Sequence, residues 1–161
     1  MQIGNDSASF TRPNDTTAYA SGDLVANSTT AASVVPMSLS LTNGFAGGQT
    51  RITRVRLSKT SVVPTNANFR VHFYTALPTI ANGDNAAWST SGAANYVGPI
   101  DVTSMLAFTD GCNGVGAATA GSELLLRFSG GTLFALLEAK AAYTPTAQEV
   151  FTLTIEELSA F

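Results

Sequence analysis

"TLFALLEAKAAYTPTAQEVFTLTIEEL", residues 132–158, is the stretch that decides the fold class of this chain. Its first half is ambiguous. Leu133, Leu136, Leu137, Lys140 and Ala141 fit one stripe of a helix, yet "TLFALLEAKAAY" (132–143) also reads as a strand. The second half arbitrates, because in "EVFTLTIEEL" (149–158) Val150, Thr152 and Thr154 alternate with Phe151, Leu153 and Ile155. Strict period two is the mark of a half-buried strand. With Gly130-Gly131 before the segment and Thr144-Pro145 in its middle, the economical reading is two strands joined as a hairpin.

Working outward, the same period recurs. "VVPMSLSLTN" (34–43) spaces Val35, Met37, Leu39 and Leu41 two apart and runs into the turn signal "NGFAGGQ" (43–49). "TRITRVRLSKTS" (50–61) sets Arg51, Thr53, Val55 and Leu57 against Ile52, Arg54, Arg56 and Ser58. "NFRVHFYTAL" (68–77) opposes Phe69, Val71 and Phe73 to Arg70, His72 and Tyr74. "PIDVTSMLAF" (99–108) and "SELLLRF" (122–128) are further strands, separated by the glycine-rich "TDGCNGVGAATAG" (109–121), and a short early strand is expected from Thr17 through "LVAN" (24–27). Residues 78–98 form a long ordered excursion with Trp88 and Tyr96 as its large anchors, while residues 1–9 carry little apolar surface and read as a flexible arm. The expected architecture is therefore all-β: an antiparallel, jelly-roll-like β-sandwich over residues 10–161, preceded by the arm.

Composition narrows the function. The chain has 161 residues, enough for one domain, with 45% apolar and only 12% charged residues. A net charge of −3 disfavours nucleic acid as a partner, since phosphate recognition needs an excess of clustered bases. Five of the eight bases nevertheless lie between residues 51 and 70. If the strands of that region pair, Arg54, Arg56, Arg70 and His72 share an outward face, which is either a solvated sheet face or a docking surface for an acidic protein neighbour. No segment is apolar enough to span a bilayer as a helix, and the N-terminus has neither the basic nor the apolar segment of a leader peptide, so synthesis in a cytoplasm is expected. Cys112 is the only cysteine, which removes intrachain disulfides.

Catalytic and cofactor motifs are not evident. His72 is the only histidine and reads as a surface or interface imidazole; Cys112 sits in the glycine-rich segment with no local base, as an inert thiol. One histidine and one cysteine do not make a zinc site, and Asp84 or Asp110 could at most contribute to a weak calcium site, where Asx turns already explain "NGDN" and "TDG". Glu156 and Glu157 are adjacent, hence on opposite faces of a strand and unsuited to flank one glycosidic bond; both are expected to be solvated. "GVGAAT" (114–119) lacks the helix that a nucleotide-binding loop requires. No cofactor, metal or enzymatic activity is expected.

Several segments, "SFTRPNDTTAYASGDLVAN" (9–27), "FRVHFYTALPT" (69–79), "GDNAAW" (83–88), "YVGPIDV" (96–102) and 133–158, resemble small virion structural proteins of tailed bacteriophages, most of all capsid decoration (cement) proteins. The resemblance implies a non-enzymatic, commonly trimeric sandwich on the outside of a head, bridging major capsid proteins. Arg51, Arg54, Arg56, Arg70, His72, Trp88 and Tyr96 are the candidate partner-binding residues. The alternative is a carbohydrate- or receptor-binding module of a phage tail, with Trp88, Tyr96 or Tyr143 as stacking platforms.

Overall fold

The structure, a computed structural model, describes residues 2–41, 49–127 and 131–160. Thr132–Ala139 and Val150–Ala160 are both strands, so the ambiguity over residues 132–143 resolves as read from the alternation downstream. Together with the strands named below they build two antiparallel sheets. In chain order the elements are β1 (Gln2–Thr11), β2 (Leu24–Val25), β3 (Met37–Ser40), β4 (Gln49–Lys59), β5 (Phe69–Tyr74), β6 (Tyr96–Val102), β7 (Leu106–Phe108), β8 (Gly111–Ala117), β9 (Leu124–Arg127), β10 (Thr132–Ala139) and β11 (Val150–Ala160). One sheet runs β1-β11-β4-β8-β7, with β9 on the first half of β4; the other runs β2-β10-β5-β6, with β3 on the first half of β10.

The core lies between the sheets and follows the pleat. Phe69, Val71 and Phe73 of β5 and Leu133, Ala135 and Leu137 of β10 meet Val55 and Leu57 of β4 and Phe151, Leu153 and Ile155 of β11 in one buried cluster. Burying side chains of this kind contributes about 1.5–3 kcal/mol each, before the entropy of ordering them. Period two thus specifies the inner faces of β5 and of the first part of β11.

Four expectations are corrected. β10 and β11 do not form a hairpin: they lie in different sheets, and residues 140–149 cross from one to the other. The N-terminal residues are not an arm, for Gln2 to Thr11 pair with β11 along their whole length, and Phe10 stacks on Phe151 at 5.5 Å. Backbone pairing, invisible to a search for apolar periodicity, orders a polar segment here. The glycine-rich stretch after Phe108 is strand β8, hairpinned to β7 with Phe108 opposite Gly111. From residues 17–27 only Leu24 and Val25 become strand. The turn expected at 43–49 falls mostly outside the described residues.

A bulge explains a further discrepancy. Along β4, Arg54 faces Glu156 but Ile52 faces Glu157, so Thr53 is an extra residue in the ladder. The insertion slips the phase. Ile52, Val55 and Leu57 all point inward, and Glu157 is fully buried, not solvated, on the inner side of β11.

Candidate functional site

Because β4 and β5 belong to different sheets, the anticipated cationic face does not form. Arg54 and Arg56 stand on the outside of one sheet, and Arg70 and His72 on the outside of the other. Each cation is also matched. Arg54 makes a two-pronged pair with Glu156 (Nε to Oε2 and Nη2 to Oε1, both 2.7 Å), and Arg56 Nε lies 3.2 Å from Oε1 of the same carboxylate. Arg70 does the same with Asp101, at 2.6 and 2.8 Å. These hydrogen bonds hold the Glu156 and Asp101 carboxyls below their ordinary values. Arg51 is exposed at the far end of β4, opposite Leu158 and Leu125.

What the structure does bring together is His72, Trp88 and Tyr96. The outer face of β5 carries Arg70, His72 and Tyr74; in register beside them are Glu138, Leu136 and Phe134 of β10 and Asp101, Pro99 and Tyr96 of β6. The excursion 75–95 folds over this face. It is pinned by Trp88 N–H to Gly22 O (2.8 Å) and Leu24 N–H to Ala86 O (2.9 Å), and it closes a second apolar cluster of Leu24, Ala26, Val34, Tyr74 and Leu136 against Ile80, Trp88 and Phe134. The Trp88 ring stacks on His72 with centroids 4.1 Å apart, while Tyr74 and Tyr96 approach within 5.2 Å. Between them opens a recess of about 250 Å³ lined by His72, Tyr74, Trp88, Thr90, Ala93 and Tyr96.

His72 is buried, contrary to the expected surface imidazole, and both ring nitrogens are engaged: Nε2 lies 2.8 Å from Glu138 Oε2 and Nδ1 lies 2.9 Å from Tyr96 Oη. Burial lowers the His72 pKa against the raising influence of Glu138, so the ring is neutral at neutral pH. That fixes the tautomer. The carboxylate can only accept, so Nε2–H donates to Glu138 and Nδ1 accepts from the Tyr96 hydroxyl, which burial pushes up to about 12 and keeps protonated. Lys140 Nζ, 3.2 Å from Glu138 Oε1, completes the group.

A pH dependence follows. A histidine whose folded value is depressed adds stability above its unfolded value of about 6.5 and loses it as pH falls through the folded value. The charged and titratable groups facing it, Arg70, Glu138, Lys140, Tyr96 and Asp101, do not reverse that direction. Wild-type protein is therefore expected to lose more of its thermal midpoint between pH 7.5 and pH 5 than His72→Gln, as read by calorimetry. An identical loss in both removes His72 from the account.

At one end of the sandwich lies a buried polar cluster that the sequence reading missed. Arg12 Nη2 pairs with Asp84 Oδ2 at 2.9 Å, its Nε donates to Tyr19 Oη, and Asp84 Oδ1 accepts from the Tyr19 hydroxyl and the Ala26 N–H, both at 2.7 Å. Tyr19 faces Tyr143, whose hydroxyl donates to Glu149 (2.6 Å), itself 3.3 Å from Lys59 Nζ. Asp84 is thus committed to Arg12 and is not a calcium ligand; among the described residues no group of three or more metal-ligating side chains occurs. Tyr143, fully buried, is not a stacking platform. Cys112 is buried on β8.

The outer face of the β1-β11-β4-β8-β7 sheet ends in apolar residues. Leu106 (67% exposed) and Phe108 (52%) on β7 share that face with Val115 (52%) on β8, beside the Arg54–Glu156–Arg56 group. The sequence carries a signal for this in the alternation Leu106, Ala107, Phe108, though the pattern does not say which side of the strand is wet.

No protein-family model matches the chain, and no curated protein matches it. Among solved structures it is similar to the capsid asymmetric unit of cyanophage Pam1, at 12% identity and a TM-score of 0.34 over 96% of this chain and 83% of that one. It is also similar to the extra small virus VLP of the giant freshwater prawn Macrobrachium rosenbergii, at 9% identity and 0.26 over 97% and 78%. A third is the globular domain of zebrafish complement 1qA protein, at 9% identity and 0.27 over 94% of each chain.

Proposed function

We propose that this chain is a non-enzymatic virion structural protein that decorates the outside of a bacteriophage head, bridging neighbouring major capsid proteins as a homotrimer assembled in the host cytoplasm. The observation that carries the reading is the exposed apolar end of the larger sheet, where Leu106, Phe108 and Val115 stand free on one face. Contiguous exposed apolar surface at a sheet edge favours a protein neighbour over water. The adjacent Arg54 and Arg56 share Glu156, which offsets one of their two charges, so attachment through this face rests on burial more than on charge. The sequence resemblance to decoration proteins points to the same partner. The one histidine has both nitrogens held, by Glu138 and Tyr96, and in this reading the group is structural.

The test is binding to shells of the parent phage that lack the protein. Leu106→Ser with Phe108→Ser is expected to weaken attachment by at least about tenfold, since a buried aromatic anchor and its neighbour together exceed roughly 1.4 kcal/mol. Folding should be unaffected, because both side chains are exposed. Attachment should also change little between 0.1 and 0.5 M salt. Wild-type attachment by the double variant, or only a handful of copies in each purified virion, overturns the reading; the second outcome points to a tail module instead.

A further inference from the structure

The recess on the opposite face of the sandwich is not absorbed by that reading. We propose that it is a binding site for a single neutral pyranose ring, presented by a glycan. The walls come first. His72, Tyr74, Trp88 and Tyr96 contribute four rings from three separate segments of chain; Trp88 and His72 cover one face of each other, and the partly exposed Trp88 and Tyr96 rings are left to meet the weakly positive C–H bonds of a sugar ring with the negative face of the aromatic quadrupole.

Polar groups on the lining are few and neutral. The Tyr96 hydroxyl gives its proton to His72 Nδ1, leaving its oxygen to accept from a sugar hydroxyl. The Tyr74 hydroxyl and Thr90 Oγ1 lie 2.9 Å apart, and whichever of the two donates in that bond, the other has a proton to direct at a ligand. A mostly apolar recess with a small set of convergent hydroxyls is the usual form of a small-molecule site.

Charge and size then narrow the class. No lining residue is charged: Arg70 and Asp101 pair with each other, and Glu138 is held between His72 and Lys140 behind the ring. An anionic ligand would find no counter-ion on the wall, which disfavours phosphates and sialic acids; an alkylammonium group, which aromatic faces attract, would leave the convergent hydroxyls of Tyr74, Thr90 and Tyr96 unused. Sites for drug-sized molecules occupy roughly 300–1,000 Å³. At about 250 Å³ this one has room for a single ring with its hydroxyls, so a longer glycan engages it by one residue only.

Trp88 is the only tryptophan in the chain, so its fluorescence reports on this recess directly. The experiment titrates the intact protein with the methyl glycosides of glucose, galactose, mannose and N-acetylglucosamine, and with glucuronate as the charged comparison. At least one neutral glycoside is expected to give a saturable change with a dissociation constant of order 1–10 mM, the range for a single small ring. Tyr96→Ala should weaken it at least tenfold, and Tyr96→Phe, which keeps the ring and removes the oxygen, should fall between. Trp88→Ala is avoided because that side chain also packs the second apolar cluster. Absence of a saturable response to every neutral glycoside, equal binding of glucuronate, or binding unchanged in Tyr96→Ala overturns the proposal. Leu106→Ser with Phe108→Ser should leave sugar binding intact, so failure of this site and failure of capsid attachment are read separately.

Discussion

Replacing Arg12 with methionine is expected to lower the thermal midpoint by about 10 °C, from the 3–5 kcal/mol that breaking a buried ion pair removes and the roughly 2–4 °C per kcal/mol of a domain this size. The size of the effect comes from what is left behind. Arg12 and Asp84 are both fully buried, and their contact joins the end of β1 to the excursion that covers the β2-β10-β5-β6 sheet; Arg12 Nη1 reaches Thr146 O as well, at 3.3 Å. Methionine fills much of the space but leaves the Asp84 carboxylate without its counter-ion. Burial already holds that carboxyl above its ordinary value, against the lowering influence of the Ala26 N–H, Tyr19 and Arg12. Without Arg12 it rises further. A raised folded value means stability that is present at low pH and lost as pH rises through it, so the deficit of the variant should be smaller at pH 5 than at pH 7.5. Arg54→Met is the exposed comparison and should leave the midpoint close to that of wild type. Calorimetry of the three proteins checks this; an Arg12→Met midpoint within a degree or two of wild type would falsify the claim that the pair anchors the excursion.

The second large effect is expected at Gly116, where valine should cost about 3 kcal/mol, the upper part of the usual range for overpacking. The inner face of β8 is made of Cys112, Gly114 and Gly116, and the two glycines let β6 of the opposite sheet pass at close range. A Cβ on Gly116 would sit 2.4 Å from Asp101 O and 3.0 Å from Ile100 Cγ2. Backbone atoms cannot rotate away. The sheets must part at this corner, and since β6 carries Tyr96 and Asp101, the shift reaches the aromatic recess. Gly116→Val should therefore move the Trp88 emission as well as the midpoint, whereas Val115→Ala, one residue along on the wet face, should stay within about 0.5 kcal/mol of wild type. A Gly116→Val protein with unchanged emission and midpoint means that the two sheets have slack at this edge.

Much of this protein is legible in its sequence for one physical reason: a pleated strand that is dry on one side imposes period two. Residues 37–41, 69–74 and 150–158 display it, which is enough to establish strands, inner faces and a two-layer architecture, whereas Val35, in the same phase, precedes the strand and is exposed. Trp88 and Tyr96 were also available at that level, as anchors of a long excursion. Pattern arguments failed where a position is settled by something other than local burial. The polar residues of β1 are ordered by backbone pairing with β11, and the glycines of β8 by proximity to β6, and neither leaves a hydrophobic period. Thr53 shifts the phase of β4 without any composition cue.

Which strands share a sheet was decided only in three dimensions. Adjacent strands in sequence invite pairing, but here β4 and β5, and β10 and β11, separate into opposite layers, which puts Arg54 and Arg56 on one outer face with Glu156 and Arg70 on the other with Asp101. Arg12 and Asp84, seventy-two positions apart in the chain, become one buried pair for the same reason. Periodicity records whether a side chain is wet or dry; it holds no information about which distant segment makes it so, and that is why the faces of this sandwich could be read from the sequence while its charge pairs, its apolar edge and its aromatic recess could not.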